Sequence, residues 1–389
     1  MQLSLKILSI ILISMAVVAP STGLAQDSKM PSRLAHVVDQ MRQQKPVTIA
    51  FFGGSITWGA TATDPLKTSW RALVMKHLRK TYPHTPLEFV DAAIGGQPSR
   101  LGVFRMDRDV LPYKPDLVFL EFSINDGDIV ENDESYEGVI RKLQRELPGV
   151  AIVPVVLGGA NGEGKFVSSG RENDLKIIAH YGLPAIDIVP RVAEQVQNGL
   201  DTKIILTDRV HPSDAGYALY AELIIGDFQK LAKEHVDLPA APAQPLTANR
   251  FENAKMIELA KLPLSDGWKS RIPAVVGTWF DHTPSRWFDS VVEPLAAGAA
   301  LPVPLPGGSN VTGLGLYYER QPSGTPVVVR MDGQEHFTAE TDNTLQFARV
   351  NYRFEWLKGE KVDPKVELQA PTGAPAAVAY LLYTTGVSR

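Results

Sequence analysis

Between residues 46 and 236, short apolar runs of strand composition alternate with amphipathic stretches of helical period. The runs are "VTIAFFGG", "LEFVDAA", "PDLVFLEFS", "AIVPVVLGG" and "LPAIDIV", separated by segments such as "SWRALVMKHLRKTY" and "SYEGVIRKLQREL". Alternation of this kind predicts a parallel sheet covered by helices on both faces. The segment after His211, "PSDAGYALYAELIIGDFQKLAKEH", opens with Pro212 and an acid in its first turn and reads as the long helix that closes this part.

The texture changes beyond "DLPAAPAQPL", a Pro/Ala stretch of the semi-rigid kind. From residue 250 onward the runs are short and alternating, as in "TPVVVRMDGQEHFTAE", where Asp332-Gly333 marks a hairpin turn. The sequence thus predicts an α/β domain over 26–236, a linker over 237–249 and an antiparallel β-sandwich over 250–389, a division that suits the length of the chain. Ahead of these, residues 1–25 carry one lysine, an apolar stretch from Ile7 to Val18 and small residues ending Gly23-Leu24-Ala25. That is the layout of a secretory signal peptide, and its apolar stretch falls short of the roughly 20 residues that span a bilayer. The expectation is a periplasmic or extracellular protein with no membrane span after signal removal.

Composition narrows the chemistry. With no cysteine, thiolate nucleophiles, thiolate metal sites and disulfides are excluded, so stability rests on core burial. The net charge of −4 is spread over 389 residues without a basic stripe, which argues against nucleic acid and favours an uncharged substrate.

The stretch "IAFFGGSITWGAT", residues 49 to 61, places Ser55 at the carboxyl end of the first predicted strand, where α/β sheets display ligand-binding and catalytic groups. Gly54 and Gly59 have phosphate-loop spacing, but Ala60 stands where that loop needs its lysine. The G-x-S-x-G elbow also fails, because Thr57 occupies the second glycine position. A serine nucleophile needs a base, a group that orients the base, and donors for the developing oxyanion. Of the eight histidines, His77, His84, His180 and His235 lie on or beside helical patterns with charged neighbours, and His36, His282 and His336 have no acid or serine context. His211 differs, standing in "LTDRVHPSDAGY" with Asp208 three residues earlier, close enough for the carboxylate to fold back onto one imidazole nitrogen. Two further strand ends supply donors: "FVDAAIGGQPSR" ends in Gly95-Gly96, and "LVFLEFSINDGD" ends in Ser123-Ile124-Asn125-Asp126.

Ser, Gly, Asn and Asp-x-x-His, in that order at successive strand ends, resemble the four blocks of the SGNH (GDSL-type) hydrolase family over residues 46 to 225. The resemblance implies a three-layer, flavodoxin-like α/β domain. It also implies Ser55 as nucleophile, His211 as base, Asp208 as its partner, and an oxyanion hole from the Ser55 and Gly96 N–H groups and the Asn125 amide, with Gly95 the alternative to Gly96. Neither metal nor organic cofactor is required. Two departures stand out: block one reads Gly-Gly-Ser-Ile rather than Gly-Asp-Ser-Leu, and block three lacks the glycine that usually precedes its asparagine by two.

The architecture of signal peptide, esterase domain and sandwich resembles secreted carbohydrate esterases, which implies short acyl esters, chiefly acetyl, on a glycan. The charged and mixed loops after each block offer little apolar surface to a fatty chain, and Arg100 and Arg105 are candidate substrate contacts. Alternatives of the same fold are a carbohydrate O-acetyltransferase, a lipid or thioester hydrolase, and a non-catalytic glycan-binding protein. Glu121, Asp126 and Asp128 as paired glycosidase carboxylates are less suitable, since Asp126 and Asp128 read as turn residues. Of the sandwich aromatics Trp268, Trp279, Trp287, Tyr317, Tyr318, Tyr352 and Trp356, most are expected in the core, with one or two free to stack on sugar rings.

Overall fold

The computed structural model describes residues 32–127, 129–237, 242, 244–273, 287–343 and 349–386. The leader 1–25, Asp128, Trp279 and His282 lie outside the described residues. Helix α1 (Arg33–Arg42) leads into β1 (Val47–Gly53), a one-turn helix α2 (Ser55–Trp58) and α3 (Trp70–Thr81). Then come β2 (Leu87–Ala93), α4 (Ser99–Asp109), β3 (Leu117–Glu121), a second one-turn helix α5 (Ser123–Asp126) and α6 (Val130–Glu146). The α/β part continues with β4 (Ala151–Val156), a short hairpin of β5 (Gly159–Ala160) and β6 (Phe166–Val167), and α7 (Arg171–His180). It ends with β7 (Ile186–Asp187), α8 (Val189–Gln197), α9 (Thr202–Ile205) and α10 (Asp214–Glu234).

Five of these strands form a parallel sheet in the order β2-β1-β3-β4-β7. The run Ile49–Gly53 is buried throughout, as is β3, because helices cover both faces: α1, α3 and α10 pack together in one layer, α4 and α6 in the other. Phe51 stacks on Phe119 of the neighbouring strand at 5.1 Å and meets Trp70 of α3 edge-on at 5.5 Å. The strand order reverses between β1 and β3, which makes their carboxyl ends the topological switch point of the sheet, where α/β folds bind their ligands. Helix α10 starts slightly later than the sequence suggests: Ser213 is the cap, its hydroxyl accepting the Gly216 N–H, and Asp214 is the first helical residue.

The remaining strands are β8 (Lys255–Glu258), β9 (Trp268–Arg271), β10 (Val291–Pro294), β11 (Ala299–Val303), β12 (Asn310–Pro322) and β13 (Val327–Met331), then β14 (Gln334–Ala339), β15 (Asp342–Asn343), β16 (Arg349–Val362), β17 (Val366–Ala370) and β18 (Ala377–Thr385). They form a seven-stranded and a four-stranded sheet, antiparallel apart from the two-residue pairing of β15 with β12. Leu314, Leu316, Val329, Phe337 and Leu368 fill the space between them. The expected hairpin turn is present between β13 and β14, where Asp332 (φ 51°) and Gly333 (φ 78°) both take the left-handed conformation of a type I′ turn. Trp268, Trp287, Tyr317 and Tyr318 are buried, as expected of sandwich aromatics.

The helical part and the sandwich share one apolar core, which runs from the parallel sheet through Phe104 and Phe251 to Tyr317 and Tyr380. The Phe354 ring lies 5.1 Å from Phe104, and Trp356 lies 4.9 Å from Phe251 under the Arg250 guanidinium. Helix α6 grips the connecting segment. Its buried Glu137 accepts the Leu246 and Thr247 N–H groups at 2.6 and 2.7 Å, and Arg141 pairs with Glu252 at 2.8 Å. The fully buried Lys142 ammonium donates to the Val103 and Ala254 carbonyls and pairs with Asp107 at 2.9 Å, while burial pulls its pKa down to about 8. No helix among the described residues is long and apolar enough to cross a membrane.

A shared core predicts shared unfolding. Phe251→Ala removes a ring that is 1 % exposed and should cost about 3–5 kcal/mol. Calorimetry of wild type and variant should each give one transition, displaced as a whole; two transitions, with only the sandwich displaced, would refute the coupling.

Candidate active site

The site is built from the ends of β1, β2 and β3 and from the loop ahead of α10. At the end of β1 the chain passes Gly53 and Gly54 with no room for side chains. A Cβ on Gly53 would lie 2.5 Å from the Glu121 carbonyl and from Thr57 Oγ1, and one on Gly54 would lie 2.1 Å from Asn125 Oδ1. The absence of side chains lets the Asn125 amide sit against the residue before Ser55. Ser55 opens α2 and is 2 % exposed. Its N–H, at the first position of a helix, has no partner within that helix.

Ser55 Oγ lies 2.9 Å from His211 Nε2, and His211 Nδ1 lies 2.9 Å from Asp208 Oδ2. The three-residue spacing closes as a tight turn, with Asp208 Oδ1 accepting the Val210 and His211 N–H groups, both at 2.6 Å. Burial, the largest single influence on Asp208, pushes its pKa up. The hydrogen bonds from the His211 ring and the two N–H groups outweigh it, so the pKa falls below the ordinary carboxylate value. Asp208 is therefore a carboxylate, able to orient the imidazole and to stabilise it when charged. The Thr207 N–H and hydroxyl both donate to the His211 carbonyl, at 2.9 and 3.1 Å.

Gly96 has φ +69° and is exposed, with no atom within 4 Å of where a Cβ would stand, whereas Gly95 is buried. Of the two, Gly96 lies at the open rim. Arg100, on the first turn of α4, lies near Asp126 and beside Tyr352 of β16. Burial raises the Tyr352 pKa, with Arg100 drawing it the other way. Arg105 is not at the rim. It is fully buried and cannot reach a substrate: its guanidinium donates to the Ala92 and Gly53 carbonyls at 2.5 and 3.0 Å, pairs with Asp109 at 2.8 Å and lies 4.6 Å over the Phe52 ring. Its burial corrects the sequence-based expectation: Arg105 is a strut that ties the ends of β1 and β2 together.

Beneath the serine turn sits Glu121, 1 % exposed, accepting from Thr57 Oγ1 at 2.9 Å and from the Gly54 and Ile124 N–H groups. Burial dominates and pushes its pKa up to about 7. Asp126 belongs to α5 rather than to a turn; burial pushes it to about 8, the nearby Glu121 charge adding to that, while Ser99 hydrogen bonds oppose it. Asp174 is raised as well, by burial and by Asp126 and Glu121. A charged residue inside the apolar run "LVFLEF" is the signal that marks Glu121 as special. Its partner Thr57 carries no such mark. No group of three or more His, Cys, Asp or Glu among the described residues is arranged to hold a metal ion.

A parallel sheet with a Ser–His–Asp hydrogen-bonded chain at its switch point has the form of a serine acylhydrolase. Residues 51–219 match the model of the GDSL-like lipase/acylhydrolase family, and the match supports a carboxylic ester hydrolase. Among solved structures, it is similar to a two-domain esterase active on acetylated mannans, co-crystallised with mannopentaose. The identity is 24 %, the TM-score 0.76, and 92 % of this chain and 95 % of that one are covered. A second structure of a two-domain esterase active on acetylated mannans aligns at 22 % identity and TM-score 0.76, over 93 % and 97 %. Both therefore share the α/β-plus-sandwich architecture over almost the full chain. Comparison with curated protein sequences gives no match.

Glu121 yields a prediction about pH. An acid whose folded pKa is raised contributes stability that is complete below its ordinary value of 4.5 and lost as pH rises through about 7. Glu121→Gln gives up some hydrogen-bond complementarity at every pH, but its melting temperature should fall less between about pH 5 and pH 8 than that of the wild type. Equal falls in the two proteins would place the ionisation elsewhere.

Proposed function

We propose that the protein is an exported serine esterase that removes short acyl groups, chiefly acetyl, from carbohydrate. The observation that carries this reading is the 2.9 Å chain from Ser55 through His211 to Asp208 at the switch point, with the Asn125 amide packed against Gly54. Ser55 Oγ attacks the ester carbonyl carbon as its proton passes to His211 Nε2, and Asp208 stabilises the imidazolium. The Ser55 and Gly96 N–H groups and the Asn125 amide hold the oxyanion. His211 then gives the proton to the departing sugar oxygen, leaving acyl-Ser55. Water, deprotonated by His211, attacks the acyl carbon and releases the carboxylic acid and free Ser55.

Support for a short acyl group comes from the charged and mixed loops that follow the serine, glycine and asparagine turns, which offer little apolar surface to a fatty chain. Support for a carbohydrate comes from the similar two-domain esterase active on acetylated mannans, and export is read from the leader over 1–25. We take 26–236 as the catalytic domain and 250–389 as its accessory domain.

Ser55→Ala and His211→Ala should each reduce ester hydrolysis to near background with folding retained, and the double variant should be little worse, because residues acting as one unit do not lose activity additively. Losses that multiply would argue against a shared role. Asn125→Ala should lower kcat by about a hundredfold or more with a small effect on KM. Aryl-ester rates should fall from acetyl to octanoyl, and acetylated glycans should release acetate with water as the acceptor. Rates that rise through octanoyl, with no acetate released, would overturn the carbohydrate reading.

A further inference from the structure

The hydrogen bond between Ser55 and His211 joins two chain segments that also meet at a second place. On leaving α2 the chain turns through Gly59 (φ 102°) and then Thr61 (φ 66°), a left-handed conformation that a β-branched residue rarely adopts. The Thr61 hydroxyl lies 2.6 Å from the Ala60 carbonyl and 2.8 Å from that of Pro212, the residue after His211. Two residues further along α10's start, the Asp214 carboxylate accepts the Thr63 N–H at 3.0 Å, the Thr63 hydroxyl at 2.5 Å and the Thr68 hydroxyl at 2.8 Å. Tyr217 Oη, one turn further on, donates to the Ala60 carbonyl at 2.7 Å, and the Ala60 N–H returns to the Ser55 carbonyl at 2.9 Å.

We propose that Asp214, with Thr61, Thr63 and Thr68, forms a positioning bridge that sets the distance between Ser55 and His211. This rests on the reading of those two residues as nucleophile and base. Asp208, from the amino-terminal side, fixes which way the imidazole faces. The Asp208 side chain makes no bond to the segment that carries Ser55, so it does not set how far the ring stands from the serine. The bridge does, because it ties residues 60–68, which continue directly from Ser55, to residues 212–217, which continue directly from His211. A displacement of the order of 1 Å between reacting groups can reduce a rate about a hundredfold, so a bridge that touches no substrate can still govern turnover. Asp214 is not needed to cap α10, since the Ser213 hydroxyl does that.

The test compares wild type, Asp214→Ala, Asp214→Asn and Thr63→Val on an aryl acetate, and measures how fast a fluorophosphonate labels Ser55. Asp214→Ala should lower kcat by about ten- to a hundredfold, leave KM within about twofold and slow labelling in parallel. Asp214→Asn, which keeps one acceptor, should recover part of the loss, and Thr63→Val should fall between wild type and Asp214→Ala. A wild-type labelling rate in Asp214→Ala, or an effect confined to KM, overturns the bridge. Labelling and hydrolysis that persist in Ser55→Ala would overturn the nucleophile assignment instead, which keeps the two failures distinct. If Asp214→Ala does not fold, Thr63→Val carries the test with the same readouts, and wild-type values there overturn the bridge.

Discussion

The site depends on β1 and β3 lying side by side with their carboxyl ends level. In that register Gly53 stands opposite Glu121, so the turn to Ser55 and the turn to Asn125 leave the sheet next to each other. The strand order reverses there, which sends the two connections to opposite faces of the sheet from the topological switch point. The Gly53 carbonyl is then fixed from the other side by the Ile94 N–H and the Arg105 guanidinium, which also holds β2 through Ala92. Three strand ends are thereby held in one arrangement before any side chain of the site is placed.

That arrangement carries an electrostatic cost. Glu121, Asp126 and Asp174 are buried near one another, and each has a pKa raised first by burial and then by its neighbours where they act. One oxygen of Asp126 and one of Asp174 have no hydrogen-bond partner among the described residues. Such groups lower stability as they charge, and Glu121 lies directly beneath the turn that carries Ser55. Asp208 is in the opposite condition, partly open to solvent and held in its ionised form by hydrogen bonds. The two environments separate a carboxylate that must carry charge from carboxyls that resist it.

The sequence exposes some of this and conceals the rest for definable reasons. Strands β1, β3 and β4 are continuous apolar runs and the Asp332-Gly333 turn is a local backbone preference, so both can be read from nearby residues. Ser55 and Asn125 can be found because they follow apolar strands, and Asp208 and His211 because they stand three residues apart just before the long closing helix, and the structure brings Ser55, Asp208 and His211 into hydrogen-bond contact and packs Asn125 against the Gly54 turn. Arg105 misleads because an arginine after a predicted block looks solvent-facing, whereas its place on α4 turns it inward onto two backbone carbonyls and the Phe52 ring. Contacts between segments distant in sequence leave no local trace. The Thr61–Pro212 and Thr63–Asp214 bonds both span 151 residues, and nothing in the spacing of either segment announces the other. Tyr352 beside Arg100 is hidden for the same reason, since it arrives from β16 of the sandwich.

The grip of α6 on the connecting segment also bears on how freely the two parts can move against each other. A free Pro/Ala tether would let the two parts sample a wide range of separations. Here Glu137, Arg141 and Lys142 clamp residues 246–254, and Phe354 and Trp356 are packed into the helical side. The sandwich and the turn that carries Ser55 are thus held at one set offset, as two ends of a single rigid piece.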